Sequence, residues 1–227
     1  MQRHFDEDLR NLNANIIKMA SLAEDAIQNA TRALKDQDPA LARTVINNDQ
    51  QIDEMELFIE EQAIDLLARM QPMASDLRFI TTGMKINAEL ERIADLAVNI
   101  AHRVLELSGM PHLKPLVDIP KLSALTSSMV KNAIDAFVNH DESIARKVIL
   151  SDSEVDQLNN VIRQELVNDY MIKDSKTVTR AVPLLLIARH LERIGDHATN
   201  IAEDVIYMVH AKIVKHHPEK LDDGQSI

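Results

Sequence analysis

The chain of 227 residues has no cysteine and no tryptophan, only four glycines and only 3% aromatic residues. Without cysteine it can form no disulfide, no thiolate metal site and no thiol nucleophile, although the compartment stays open. So few glycines leave no Gly-rich phosphate loop, and no Ser-centred nucleophile motif is present either. Nothing commits the chain to an enzymatic reaction, and a non-enzymatic role is expected. Positive charge is also scarce: 25 Lys and Arg face 36 Asp and Glu, a formal net charge of -11. Binding to a nucleic-acid backbone, which needs clustered cations, is therefore disfavoured. The longest apolar run, Ala-Val-Pro-Leu-Leu-Leu-Ile-Ala at 181–188, falls well short of the roughly 18 residues that would span a bilayer. The first residues, Met-Gln-Arg-His-Phe-Asp-Glu-Asp, lack the apolar core of a signal peptide. A soluble, cytoplasmic protein without a membrane span is expected.

What is abundant is helix-forming: Ala, Leu, Ile, Glu and Asp, with apolar residues spaced by three and four. Leu9, Leu12, Ile16, Met19, Ala23, Ile27, Ala30 and Leu34 predict a first helix over 5–35. Asp38 before Pro39 reads as an N-cap with proline at the first helical position, opening a second helix to about Met70. Gln71 and Pro72 break it, Ser75 or Asp76 is the expected cap of a third helix, and Ser108 and Gly109 end that one. Three of the seven prolines lie between Ser108 and Pro120, a density that marks a boundary. The second half repeats the plan with helices over 121–139, 143–172 and 174–215, the last with a late start or a kink at Pro183. The fold class is all-α: two tandem pseudo-symmetric three-helix bundles, 1–108 and 121–215, of six long antiparallel helices. A Pro-rich linker at 109–120 joins them, and a polar tail over 216–227 is expected to be disordered.

The halves are near-copies. Leu-Glu-Arg-Ile-Ala-Asp-Leu-Ala-Val-Asn-Ile-Ala-His-Arg-Val at 90–104 returns at 191–205 with ten of fifteen positions identical. Asp38, Ala42, Arg43, Val45, Ile46, Asp49 and Asp53 return as Asp141, Ala145, Arg146, Val148, Ile149, Asp152 and Asp156. On a helix, Glu91, Asp95 and Asn99 fall within about 80° of one another with His102 between them. Ile93, Ala97, Ile100, Ala101 and Val104 form the opposite, apolar stripe. In the second copy the acidic face carries Glu192, Asp196, Asn200 and Glu203.

Neighbouring helices of a bundle run about 8–10 Å apart, so Asp49 and Asp53 can meet Glu91 and Asp95, and Asp152 and Asp156 can meet Glu192 and Asp196. Four such carboxylates repel unless they protonate, pair with a base or hold a cation. An all-oxygen set favours hard ions: Mg²⁺, Ca²⁺, Mn²⁺ or ferric iron. Asn99, His102, Asn200 and Glu203 are candidate accessory ligands. A plain solvated face explains acidic residues opposite an apolar stripe equally well in general. The second helices argue for more, since Glu56 and Glu60 become Asn159 and Arg163 in the second copy while the four-apart aspartates persist. Arg92 and Arg193 read as flanking surface ion pairs, and His140, His190 and His210 as surface residues. Glu-x-x-His pairs of the ferritin-like di-iron kind do not occur.

The doubled Leu-Glu-Arg-Ile-(Ala/Gly)-Asp motif, the Asp-x-x-x-Asp before each copy, and Arg-Met-Gln-Pro-Met-Ala-Ser-Asp-Leu-Arg at 69–78 closely resemble the PhoU family. The likeness runs from Phe5 to Ala211. It implies a cytoplasmic regulator of phosphate uptake that represses the phosphate-starvation regulon when phosphate is plentiful. Such a protein links the ATPase subunit of the Pst phosphate transporter to a PhoR-type sensor kinase. It also implies metal seats at Asp49, Asp53, Glu91 and Asp95 and at Asp152, Asp156, Glu192 and Asp196. Similar proteins hold multinuclear iron clusters there, or Mg or Mn. Ala94 against Gly195, and His102 against Glu203, imply that the two seats differ. Met- and Leu-rich bundle faces suit a homodimer. The rival reading is a carboxylate-bridged iron storage or redox protein.

Overall fold

The computed structural model describes residues 2–211. It contains α1 (Gln2–Asp36), α2 (Pro39–Met70), α3 (Ala74–Leu107), α4 (Asp118–Asn139), α5 (Glu142–Glu165) and α6 (Val178–His210), and no strand among the described residues. The predicted tail at 216–227 lies outside them.

Spacing by three and four becomes burial along α1, where Leu12, Ile16, Met19, Ala23, Ile27, Ala30 and Leu34 are all buried. The same holds for Ile93, Ala97, Ile100, Ala101 and Val104 of α3 and for Ile187, Leu191, Ile194, Ala198 and Ile201 of α6. Each buried Leu or Ile contributes about 1.5–3 kcal/mol. Apolar residues from all six helices join in one cluster, so the two bundles share a continuous core. Their third helices form the most extensive contact between any two elements. Arg78 Nε donates to the Met208 carbonyl (3.0 Å), Lys85 pairs with Asp204 (2.8 Å) and Glu89 meets His197 (2.6 Å). Numbers rise along α3 as they fall along α6, so this seam is antiparallel.

The N-caps of α2 and α5 repeat as closely as the motifs. Asp38 accepts from Ala40 N (2.9 Å) and Leu41 N (3.0 Å); Asp141 accepts from Ser143 N (2.8 Å) and Ile144 N (3.2 Å). Each cap satisfies two amide donors that the first turn leaves open. Replacing Asp38 or Asp141 by Ala should each lower stability by about 1 kcal/mol in chemical denaturation. Because the two caps do not touch, the effects should add.

Some ends depart from expectation. α3 starts at Ala74 behind Met73, which gives no side-chain cap, while Asp76 occupies the first turn and complements the helix dipole. α4 begins three residues early, at Asp118, and takes in Pro120 as its third residue. First-turn amides need no intrahelical acceptor, so proline is tolerated there. α5 passes into a π-helical turn, Leu166–Met171, then a 3₁₀ turn, Ser175–Thr177, capped by Asp174. α6 therefore starts late, with Pro183 in its second turn, and ends at His210 on left-handed Ala211 (φ 56°).

The Pro-rich segment between the bundles is pinned at several points. Gln37 Nε2 donates to the Met110 carbonyl (2.8 Å), and Arg180 reaches the Pro111 carbonyl (3.3 Å). Lys114 is buried and pairs with Glu165 and Asp118.

Candidate functional site

The first four predicted carboxylates come together on one side of the α2–α3 pair. Asp49 and Glu91 are half-buried, while Asp53 and Asp95 are exposed. Burial, and then the charges of Asp53 and Asp95, push the Asp49 carboxyl above its ordinary value. Glu91 is raised by burial and by Asp95, Glu56 and Asp53, against the opposing pull of Arg92; Asp95 is raised by burial and by Asp53. Every member thus either feels or exerts the repulsion of the others.

The α5–α6 pair repeats this disposition. Asp152 and Glu192 are half-buried, Asp156 and Asp196 exposed. Asp152 is raised by burial and by Asp156 and Asp196, with the Thr199 hydroxyl acting the other way. Asp196 is raised by burial, Glu192 and Asp156, against His197 and Arg193. Oδ1 of Asp152 is buried and makes no close hydrogen bond among the described residues, the Thr199 hydroxyl lying only near enough to temper its charge.

Glu56 belongs to the first cluster, although its loss in the second copy made it look generic. It is half-buried, and burial, Glu60 and Asp53 raise its pKa, with Arg92 opposing. Its carbonyl accepts from Asn87 Nδ2 (2.9 Å), tying α2 to α3 beside the acids. In the second copy the buried Asn159 takes its place. The clusters therefore differ by one carboxylate at helix-two positions, in addition to the differences at Ala94/Gly195 and His102/Glu203. Gly195 has a packing reason of its own: a Cβ there would lie 3.3 Å from Val155 of α5.

The accessory candidates divide. Asn99 and His102 lie exposed on α3 beyond Asp95, and Glu203 is half-buried on α6. Asn200 is engaged elsewhere, donating from Nδ2 to Glu89 Oε2 across the seam (3.1 Å). Among the described residues no three His, Asp or Glu side chains converge as a ready metal cage. What the clusters offer is an all-oxygen donor set, repelled carboxylates and one buried oxygen without a close hydrogen bond, which suits a hard cation.

Sequence reading missed the polar content of the α3–α6 seam. Glu89 is buried and faces His197 Nδ1 at 2.6 Å, accepts from Asn200, and pairs with Arg92 at 2.8 Å. Burial alone would raise its pKa, but His197, Asn200 and Arg92 together bring it below the ordinary value. Arg92 therefore pairs with Glu89 while still acting on Glu91 and Glu56 from the flank of the acidic face. His190 is a correction as well: it is half-buried, with a buried Nδ1 that has no partner among the described residues. The available signal was the positions where the copies disagree, Glu89 against His190 and Leu96 against His197.

Fold and site define a class: a duplicated helical bundle carrying two surface carboxylate clusters, one per repeat. The PhoU domain model matches residues 16–104 and 119–205, one match per repeat. A phosphate-specific transport system accessory protein PhoU homolog from Aquifex aeolicus is 42% identical over 210 residues, covering 92% of this chain and 95% of that protein. The one from Xylella fastidiosa strain 9a5c is 35% identical over 225 residues, covering 99% and 94%. The crystal structure of PhoU from Pseudomonas aeruginosa superposes with a TM-score of 0.87 at 37% identity, over 92% of this chain and 100% of that one. That of the phosphate transport system regulatory protein PhoU from Streptococcus pneumoniae gives 0.86 at 29% identity, over 92% and 99%. The chain belongs to the PhoU family.

Proposed function

We propose that this protein is a cytoplasmic, non-enzymatic regulator of phosphate uptake, an adaptor between the ATPase subunit of a Pst-type transporter and a PhoR-type sensor kinase. Its relatives are named as accessory proteins of phosphate-specific transport, and no helix among the described residues is long and apolar enough to cross a membrane. The observation that carries the site reading is the duplicated carboxylate cluster, in which burial and mutual repulsion keep Asp49, Glu91, Asp95, Asp152 and Asp196 raised despite the flanking Arg92, Arg193 and His197. Asp49, Asp53, Glu91 and Asp95, joined by Glu56, would hold one divalent or trivalent cation site, and Asp152, Asp156, Glu192 and Asp196 the other. A bound cation such as Mg²⁺, Mn²⁺ or iron supplies charge neutralisation and open coordination positions on the surface. The chain itself supplies two rigid helix pairs that hold carboxylates outward, a face suited to docking rather than to enclosing a substrate. The apolar Leu57, Phe58 and Ile64, exposed on α2, offer a face for a homodimer.

Two measurements test this reading. Tagged protein should capture the transporter ATPase and the kinase from a membrane extract, and deleting its gene should derepress alkaline phosphatase in phosphate-rich medium. Normal repression in the deletion strain would overturn the adaptor role. Rapid oxidation of ferrous iron with loading of many irons per chain would instead favour the storage reading.

A further inference from the structure

The duplication gives the molecule two equivalent clefts, and only one of them is filled. The turn between the first and second helices has the same form in both repeats. Gln37 (φ 52°) and His140 (φ 53°) are left-handed, and Asp38 N and Asp141 N close the turns on the carbonyls of Ala33 and Ala136. Gln37 therefore corresponds to His140, and by the spacing of the third-helix motifs Arg180 corresponds to Phe79. Gln37 of the first repeat faces one cleft together with Arg180 of the second; His140 of the second faces the other together with Phe79 of the first.

At the first cleft the Pro-rich linker crosses between the two side chains. Gln37 Nε2 donates to the Met110 carbonyl (2.8 Å) and Arg180 to the Pro111 carbonyl (3.3 Å), and about 20 Å³ is left open. At the second cleft the chain that stands in the linker's place is the start of α1. A helix holds its own carbonyls by the amides four residues on, so it offers none to a neighbouring donor. The cleft consequently stays open, with about 440 Å³ between Leu9 and Arg10 of α1, Asp76 and Phe79 of α3, and His140. That is a volume in the range of ligand pockets. Leu9 and Phe79 pack on the core and give the cleft an apolar floor. The His140 ring lies 5.8 Å from that of Phe79 and has no hydrogen-bond partner among the described residues. Arg10 is exposed and closes no ion pair among them.

We infer that the open cleft seats an extended, proline-containing segment of a partner protein, as its counterpart seats the chain's own linker. His140 takes the role of Gln37 and donates to a backbone carbonyl of the segment. Proline keeps such a segment extended, with its carbonyls free, and its ring suits an aromatic floor of the kind that Phe79 supplies. Arg10 pairs with an acidic residue of the segment. The cleft shares no residue with the acid clusters and stands whether or not they hold metal.

The test is a titration of the full chain, followed by calorimetry and NMR, with the capped peptide Met-Pro-Glu-Leu-Lys-Pro-Leu-Val. This is the linker sequence 110–117 with glutamate in place of its histidine. Saturable binding of one peptide per chain is expected, with shifts in the resonances of Leu9, Phe79 and His140, and none with a peptide of the same residues scrambled. His140→Gly suits the left-handed backbone but removes the donor, and should weaken binding about fivefold. His140→Gln keeps a donor and should bind as the wild type does. Arg10→Gln should weaken binding about twofold, and Arg180→Gln, at the linker-filled cleft, should leave it unchanged. Uptake that does not saturate, equal binding of the scrambled peptide, or undiminished binding by the His140→Gly protein would overturn the inference.

Discussion

Changing Asp95 and Asp196 together to Asn is expected to make the metal-free protein more stable at neutral pH, and to remove the stabilisation that metal confers on the wild type. Asp95 and Asp196 both have raised pKa values, and they help to raise Asp49, Glu91 and Asp152. A carboxyl whose pKa is higher folded than unfolded binds more protons in the native state, so stability falls as pH rises through that interval. The interval opens at the ordinary values of 3.8 for Asp and 4.5 for Glu and extends upward to the raised ones. Metal-free wild type and variant should therefore be equally stable below this window and separate above it. Relief of repulsion is worth about 0.5 kcal/mol per cluster, the scale of partly exposed charge pairs. Glu89 and Glu142, whose pKa values are lowered, oppose the trend in both proteins alike and cancel in the difference. A cation at a hundredfold excess over its Kd adds about 2.7 kcal/mol per site to the wild type, so metal should reverse the order of the two proteins. Denaturation across pH, with and without chelator, together with elemental analysis, reads both effects. Equal trace metal in the two proteins and superimposable pH curves would dispose of the cation seats while leaving the adaptor role standing.

The largest loss of stability is expected at Phe137. It is among the fully buried side chains, and its ring stacks on Phe79 with centroids 5.1 Å apart and planes within 9°. Phe79 belongs to α3 of the first repeat and Phe137 to α4 of the second, and the Phe137 ring also packs beside Gly83 of α3. Phe137→Ala should cost about 3–5 kcal/mol through lost burial and the cavity left behind. In a chain of this size each kcal/mol moves the midpoint by about 2–4 °C, so a fall on the order of 10 °C is expected. Because the core is continuous across the repeats, one cooperative transition should persist at the lower temperature. Two separate transitions, or a loss under about 1 kcal/mol, would show that the halves are energetically independent at this point.

Much of the protein was legible without coordinates, and the reason is periodicity. Apolar residues at helical spacing must share a face, so the stripes from Leu12 to Leu34 and from Ile93 to Val104 become core whatever their neighbours are. Asp38 and Asp141 act as caps through amides two and three residues away, and such local bonds follow from local sequence. The four-apart acids were readable too, since one turn places them together and a short connection places the next helix beside them.

Tertiary structure decided everything that depends on which helix meets which. No pattern along the chain announces that α3 lies antiparallel on α6, because an apolar stripe states that a face is buried and not what buries it. Glu89 therefore looked like one more acid before the motif, and only the partner helix, with His197 and Asn200, makes it a buried hydrogen-bonded carboxylate. For the same reason His190 read as a surface residue, Glu56 as generic charge and the Pro-rich segment as a plain connector. Spacing along one helix determines direction around its axis; burial, partner and charge environment belong to pairs of helices, and exist only once the chain has folded.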